Sequence, residues 1–518
     1  MPGRYYICTA IDYTNGAPHI GHAYEKVLAD VVARYHRLRG EDVYFLTGVD
    51  QHGQKVQQSA AKQGIAPQEF VAEITAKFRA LWEKLGVVYD GWAATVEPRH
   101  KTCVQQILQR LWDEGKISKD KQGGFYSVRQ EQFLTDKERG ADGEFGSEWG
   151  QVEFREEENY YFRLAEHKEW LLALIDSRAD LIYPDFRRGE LRNAVEKLSG
   201  DLCISRPKAR LEWGIELPFD AGFVTYVWFD ALVNYLSFAP SGYDPRPGAD
   251  NTEFSRWWPA TIIIGKDILI PAHGIYWMIM LHALGFGDVG MPRLIVHGWW
   301  NMAGAKMSKS EGNVVDPHLL ADKYGADAVR YYLMSDIATG KDADFSEERL
   351  VSRFNADLAN SIGNLLNRSV SMAQRYRDGR LRQAGGERPL RRQASIALSS
   401  YETAFEESQP QAALAAVVEF VTACNTYVET SAPWKLAKDP ERADALDQVL
   451  YDLAESLRII AVLLSPVLPT AAQAIFHQLN WKAEMALADA SWGQLPDGHI
   501  VGKPTPLFPR IEAPPSSA

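Results

Sequence analysis

The sequence predicts an α/β protein in which a doubly wound parallel sheet is interrupted by an inserted domain and followed by an all-α helix bundle. Three observations predict it. Strand-like and helix-like segments alternate at the start of the chain, as a parallel sheet requires. That rhythm breaks between about 113 and 220, and from about 352 to 480 helical periodicity takes over.

Residues 5–11 are an apolar, β-rich run, followed by the turn pair Asn15-Gly16 and by Pro18. From 21 to 39, Ala23, Val27, Leu28, Val31, Val32, Tyr35 and Leu38 recur at helical spacing, and Gly40 closes the helix. Residues 43–48 make a second strand that ends at Asp50-Gln51-His52-Gly53. Between 113 and 220 lie the loop-like Lys121-Gln122-Gly123-Gly124, an acidic stretch at 144–158 and a helix-like 170–175, read together as an insertion. The sheet is expected to resume with 224–231 and 261–267, and 294–298 makes a further strand. In the helical part Leu446, Val449, Leu450, Leu453, Leu457, Ile460 and Leu464 share a face before Pro466 and Pro469. The end, 504–518, reads as a docked strip running into a disordered tail.

A chain of 518 residues is too long for one core, so about three domains are expected. Its 46% hydrophobic and 24% charged residues are ordinary globular composition. No apolar run approaches the roughly 20 residues of a membrane span. The opening Met1-Pro2-Gly3-Arg4 leads into strand-like sequence rather than a signal peptide, so a cytoplasmic location and no membrane partner are expected. Cys8, Cys103, Cys203 and Cys424 form no close pair, against both a disulfide framework and a zinc knuckle. A net charge of −12 argues against nucleic acid only for the whole chain, because phosphate contacts are made by local patches. One candidate patch is 353–392, with nine arginines, no lysine and three acids. It reads either as an RNA contact or as a solvated helical face.

Two short motifs carry chemistry. His19-Ile20-Gly21-His22 falls in the turn between the first strand and the first helix, beyond the carboxyl end of the strand. A helix N-terminus there offers free N–H groups and a positive dipole to phosphate, and both imidazoles lie on one side of its first turn. A lone His-x-x-His is more often structural or half of a metal site, but Pro18, Gly21 and the preceding strand favour phosphate. Lys306-Met307-Ser308-Lys309-Ser310, between Gly304 and Gly312, suits a loop whose ammonium groups close over a triphosphate. By composition alone this five-residue match arises in roughly one such chain in several thousand.

Together the motifs resemble the HIGH and KMSKS motifs of the class I aminoacyl-tRNA synthetases. Ala10-Ile11-Asp12-Tyr13-Thr14-Asn15-Gly16, Gly48-Val49-Asp50-Gln51-His52-Gly53, Tyr226-Val227-Trp228-Phe229-Asp230-Ala231 and Gly265-Lys266-Asp267-Ile268 resemble the methionyl-tRNA synthetases, over residues 4–480. The resemblance implies a Rossmann-like catalytic domain split as 1–112 and 221–300 around a connective insertion at 113–220. It also implies the KMSKS loop and a stem-contact region at 301–351, an α-helical anticodon-binding domain at 352–500 and a C-terminal tail at 501–518. The implied reaction joins L-methionine to ATP as methionyl-adenylate with loss of pyrophosphate, then moves methionine to the 3′-terminal adenosine of tRNA-Met, initiator and elongator.

The implied catalytic residues are His19, His22, Lys306 and Lys309. ATP, with Mg2+, would meet these together with Ile20, Gly21, Glu25, Gly265, Lys266, Asp267, His297, Gly298, Met307, Ser308 and Ser310. Methionine would meet Ala10, Ile11, Tyr13, Asp50, Trp228, Ala231, Leu232, Tyr235, Ile268, Leu269, His273 and Trp277, with Asp50 on its ammonium. An aromatic-walled slot suits a polarisable thioether. The segment after Asp267 is one residue longer than the family pattern, leaving Ile268 or Leu269 as the aliphatic wall. Asn364, Arg368, Pro433 and Trp434 resemble the elements that read a CAU anticodon, although Trp434 can equally be a buried staple. Many methionine enzymes carry zinc-ligating cysteines after a Phe-Tyr pair. Here Phe125-Tyr126 leads to Ser127 and Gln130, so no zinc is expected. The chain has no room for the extra C-terminal dimerising domain of some relatives, so a monomer is expected.

Two other readings stay open at this stage. A class I enzyme for isoleucine, leucine or valine needs a large editing domain, because one methylene discriminates only modestly, and about 100 inserted residues are too few for one. A non-catalytic tRNA or partner binder on the same fold would have no physical reason to keep His19, His22, Lys306 and Lys309.

Overall fold

The computed structural model describes residues 3–512 except 129–131, 135–138, 141, 303, 308–313, 384, 386, 387 and 483, and omits the side chains of Gln122, Gln132, Phe133 and Lys306. Its centre is a parallel sheet in the order Asp12–Tyr13, Asp42–Asp50, Arg4–Thr9, Thr261–Gly265, Arg293–His297, Ile182–Tyr183, with Gly91–Ala94 also paired to Asp42–Asp50. From Arg4–Thr9 the chain first builds one side of the sheet with Asp12–Tyr13, Asp42–Asp50 and Gly91–Ala94, and the later strands Ile182–Tyr183, Thr261–Gly265 and Arg293–His297 build the other. The order therefore reverses beside Arg4–Thr9, the place where such sheets hold ligands.

Alternation along the strands divides the interior into two cores. Ile7, Phe45, Val49, Ile263 and Ile295 face the core shared with helix Ile20–Leu38 and the C-terminal helices. Tyr6, Cys8, Leu46, Ile262, Ile264, Leu294 and Val296 face the other, shared with the inserted elements. Both faces are covered, which is why the strands read as continuous apolar runs.

Two expectations need correction. Residues 224–231 do not extend the parallel sheet. Asp220–Thr225 pairs antiparallel with Ser205–Pro207 and Glu216–Leu217, and Val227–Leu232 is a helix. A short run buried on all sides has no period by which to tell strand from helix. Nor do residues 113–220 stay away from the sheet, because Ile182–Tyr183 pairs with Leu294 and Ile295 at its edge. The part that does leave is an antiparallel sheet built on the long pair Ile117–Ser127 and Val152–Phe162.

The C-terminal part is helical, with Ala443–Leu464 at its centre packed on Pro389–Glu406, Pro410–Ser431 and Pro469–Gln478. The stretch Pro410–Leu436 is long and apolar enough to cross a membrane, but Leu414, Val417, Phe420, Val421, Cys424 and Val428 bury its apolar face in this bundle. Arg330, 1% exposed, joins the helical part to the sheet: its guanidinium meets Asp30 of the first helix at 2.7 Å and donates to Leu85 O, Pro466 O and Val467 O. The end of the described chain docks through reciprocal bonds between Asn355 and Ile511 at 2.8 and 2.9 Å.

Candidate active site

His19 caps the first helix. Its Nδ1 accepts the Gly21 N–H at 3.1 Å, while the His22 Nδ1 accepts the His19 N–H at 3.1 Å. With both Nδ1 atoms accepting, each imidazole carries its proton on Nε2, at the positive end of the helix. The rings lie 3.8 Å apart. A Cβ on Gly21 would stand 2.9 Å from His19 Cε1, so a glycine is what lets this ring fold back over the helix start.

Both imidazoles line a cavity of about 290 Å³ with Gly21, Glu25, Gly265, Asp267, His297, Gly298 and Met307. Ile20 and Lys266 are not on its wall. Ile20 is fully buried in the core, and the Lys266 ammonium pairs with Asp342 at 2.6 Å over the ring of Trp299. The backbone of Lys306 pairs with Asn301 in a short hairpin. The Lys306 side chain, Ser308, Lys309 and Ser310 lie outside what is described.

In the wall of the cavity is a charge cluster whose centre, Lys26, the sequence reading missed. The Lys26 ammonium, wholly buried, donates to Ala10 O at 3.0 Å, Asp12 at 2.6 Å and Glu25 at 2.8 Å. The other Glu25 oxygen meets His297 Nε2 at 3.0 Å. Burial, only partly offset by Lys26, pushes the Asp12 carboxyl up to about 7. At Glu25, Lys26 and His297 together outweigh burial and hold the carboxyl below its usual range. A Glu-Lys pair on a helix is usually a solvated face, so the sequence gave no sign that Lys26 is buried.

A second cavity, of about 350 Å³, opens next to the first. Ala10, Ile11, Tyr13, Asp50, Trp228, Ala231, Leu232, Tyr235, Ile268 and His273 line it. Of the residues expected there, Leu269 and Trp277 do not: both are buried in the core, with the Trp277 ring 5.6 Å from that of Tyr235. Ile268 is therefore the aliphatic wall, and the extended Ile270 interrupts the helical stretch beyond it. Lys55, Tyr226, Val227, Asn234, Asp267 and Ala272 also line the cavity. Of these, the shared segments 226–231 and 265–268 contain Tyr226, Val227 and Asp267, and Asp267 was expected on the nucleotide instead. His273 Nδ1 donates to Ile268 O at 2.9 Å, so its Nε2 accepts from the Tyr235 hydroxyl at 2.8 Å. Burial pushes His273 down to about 4, and the imidazole is neutral at neutral pH. Ala10, Ile11, Tyr13, Asp267 and Ile268 line both cavities, which thus meet at the carboxyl ends of Arg4–Thr9 and Thr261–Gly265.

Far from these cavities, Asn364 is exposed and Arg368 stands one turn along the same helix. The Arg368 guanidinium pairs with Glu429 at 2.7 Å and lies 5.8 Å from the ring of half-buried Trp434. Pro433 is buried at the start of a short helix and presents no surface. Of the nine arginines in 353–392, Arg353, Arg368, Arg377 and Arg388 are committed to carboxylates. In the insertion, Ser127 is buried with its hydroxyl donating to Trp149 O at 2.5 Å, and the guanidinium carbons of Arg155 and Arg210 stand 4.5 and 4.8 Å from the Tyr126 ring centre. Gln130 is outside the described residues. Among the described residues here, a hydroxyl bonded to a carbonyl and guanidiniums beside a ring supply none of the thiolate or imidazole groups that structural zinc takes.

Residues 5–144 and 147–370 match the family described as tRNA synthetases class I (M), and residues 381–516 match the anticodon binding domain of methionyl tRNA ligase. The methionine–tRNA ligase of Deinococcus radiodurans is 42% identical over 98% of this chain and 75% of its own length. That of Bacillus subtilis is 41% identical over 98% of this chain and 78% of its own. The solved Mycobacterium tuberculosis methionyl-tRNA synthetase in complex with methionyl-adenylate superposes with a TM-score of 0.91 at 37% identity, covering 98% of this chain and 100% of that one. With family matches across both the sheet and the helical part, the chain belongs to the class I tRNA synthetases of the methionine type.

Proposed function

We propose that the chain is a methionine–tRNA ligase, which activates L-methionine with ATP and transfers it to the 3′-terminal adenosine of tRNA-Met. The observation that carries this reading is the meeting of the two cavities. An amino acid in the apolar one, its ammonium on Asp50, directs its carboxylate toward the wall the two share. A triphosphate at the helix start presents its α-phosphorus to the same wall. The carboxylate oxygen attacks that phosphorus and pyrophosphate leaves. Both reactants are held in line, so the step gains chiefly from orientation and from N–H donors aimed at the growing phosphoryl charge. His19 and His22 supply those donors, and Lys306 and Lys309 would add ammonium groups at the pyrophosphate end. Mg2+ enters with the triphosphate as part of the substrate.

The neutral Tyr235–His273 pair keeps a full charge away from the thioether, while the walls from Ile11, Trp228 and Ile268 fit it by contact. The insertion works without zinc, given the surroundings of Tyr126 and Ser127 described above. Asn364, Arg368 and Trp434 form the surface for the CAU anticodon of initiator and elongator tRNA. The protein acts as a cytoplasmic monomer.

The test is amino-acid-dependent exchange of labelled pyrophosphate into ATP by chelator-treated protein, with each of the twenty amino acids. Exchange with methionine alone is expected. Exchange with isoleucine, leucine or valine would overturn the pocket assignment, and loss of exchange restored by zinc would overturn the zinc-free reading.

A further inference from the structure

The walls of the amino-acid cavity come from segments far apart in the chain. Asp50 stands at the end of one strand, while Trp228, Ala231 and Tyr235 sit on helices Val227–Leu232 and Asn234–Ser237. What fixes the distance between them lies behind the cavity. Asp230 is fully buried, and its Oδ2 accepts from His52 Nδ1 at 2.9 Å. Its Oδ1 accepts from His100 Nε2 at 3.1 Å, and His100 Nδ1 in turn meets the Ser237 hydroxyl at 2.8 Å. The buried His52 Nε2 has no hydrogen-bond partner among the described residues, so the bond to Asp230 is the one seen to orient this ring. The same loop is braced from outside by Trp213, whose Nε1–H donates to Gln51 O at 2.5 Å. Neither Asp230, His52 nor His100 lines the cavity.

We propose that Asp230 is a positioning residue for amino-acid recognition, its carboxylate clamping the Asp50–Gly53 loop to the helix that carries Trp228 and Ala231. The role rests on the ligase reading above. A buried carboxylate held by two N–H donors from different elements is stiff, because both bonds are charge-assisted and water does not compete for them. Opposition of burial by His52 and His100 keeps the carboxyl below its usual range, so it stays an acceptor on both oxygens. An amide in its place offers one acceptor oxygen instead of two and removes the charge, so one imidazole must change tautomer or lose its bond and neither bond is charge-assisted any longer. The loop then moves relative to the helix, and Asp50 and Trp228 cease to grip one ligand together. The nucleotide cavity contains neither Asp50 nor Trp228, so ATP is spared.

The experiment is pyrophosphate exchange by the full chain carrying Asp230→Asn. The methionine KM is expected to rise about tenfold or more, the loss of one such bond, while the ATP KM stays within about twofold. Thermal melting confirms that the variant is folded. Should Asp230→Asn not fold, His52→Ala carries the same expectation, and His52→Asn, whose amide N–H can replace the imidazole donor, restores the methionine KM. Unchanged methionine KM in a folded Asp230→Asn or in His52→Ala overturns the proposal, as does a parallel rise for methionine and ATP. Equilibrium dialysis with labelled methionine separates this from the ligase reading. A wild type that neither exchanges nor binds methionine overturns that reading and the clamp with it. A wild type that does both, beside an unaffected variant, overturns the clamp alone.

Discussion

The two halves of the site solve the same problem, holding polar groups in a dry interior, by opposite means. The nucleotide half uses charge: Lys26 sits among Asp12, Glu25 and Ala10 O, and Glu25 reaches on to His297. Beside the apolar wall the amino-acid half uses neutral groups, a tyrosine hydroxyl, an imidazole held near a pKa of 4 and a backbone carbonyl, while its carboxylates Asp50 and Asp230 stand at a strand end and behind the wall. The difference matches what each half would hold. A polyanion is best met by a framework whose own charges are already paired, so that they do not compete with it for the histidines and the helix end. A thioether is best met by no charge at all.

The largest effect expected from breaking this contrast is at Lys26. Lys26→Met leaves two buried carboxylates facing each other, and a buried pair broken on one side typically costs about 3–5 kcal/mol. The first helix and the Ala10–Tyr13 turn lose their shared anchor, so the thermal midpoint and pyrophosphate exchange should fall together. A variant with wild-type midpoint would mean that the cluster carries no net stability.

The next effect separates the halves by pH. His273 has a folded pKa of about 4 against an ordinary 6.5, so between these values the unfolded chain binds a proton that the native protein refuses. Its stabilising contribution is fully present above pH 6.5 and is lost as pH falls toward 4, by about 3 kcal/mol. Asp12 runs the other way: its carboxyl is raised in the folded protein, so its contribution shrinks as pH rises toward 7. Denaturation midpoints of wild type and His273→Asn, compared at pH 7, 6, 5 and 4, should converge as pH falls. A constant gap would show that His273 takes up its proton at the same pH folded and unfolded, and the neutral character of this half below pH 6.5 would fall with it.

The same contrast governs what was legible in the sequence. The nucleotide half begins in a local motif, and His19, Gly21 and His22 reach the cavity because one helix start carries all three. The amino-acid half converges from four distant segments, and no period or spacing relates Asp50 to Trp228 or His273. Only the family resemblance brought them together. It placed Leu269 and Trp277 on the wall, whereas packing puts them behind it. The sheet was legible wherever strand and helix alternate. It was misread at 224–231, where burial on every side erases the period, and at Ile182–Tyr183, a two-residue strand too short to leave a pattern. Lys26 and Asp230 were invisible for one reason: a buried charge is recognised by its partners, and the partners come from elsewhere in the chain.

The smallest effect tests whether the helical part stands apart from both halves. Trp434 is half-buried, with the Arg368 guanidinium 5.8 Å from its ring and that cation already paired to Glu429. The open part of such a ring beside a guanidinium is a stacking platform for an unpaired base, and such a stack is worth about 1–3 kcal/mol. Trp434→Ala should therefore lower kcat/KM for charging tRNA-Met by about tenfold or more, while methionine-dependent exchange, confined to the two cavities, holds its rate. Arg368→Gln should follow it in the same direction and spare exchange likewise, because it too removes a group from this surface alone. If exchange and thermal midpoint fall together with charging, the ring is a staple of the bundle: its loss then acts through the packing that Arg330 ties to the first helix, and the reading of the anticodon surface moves to Asn364.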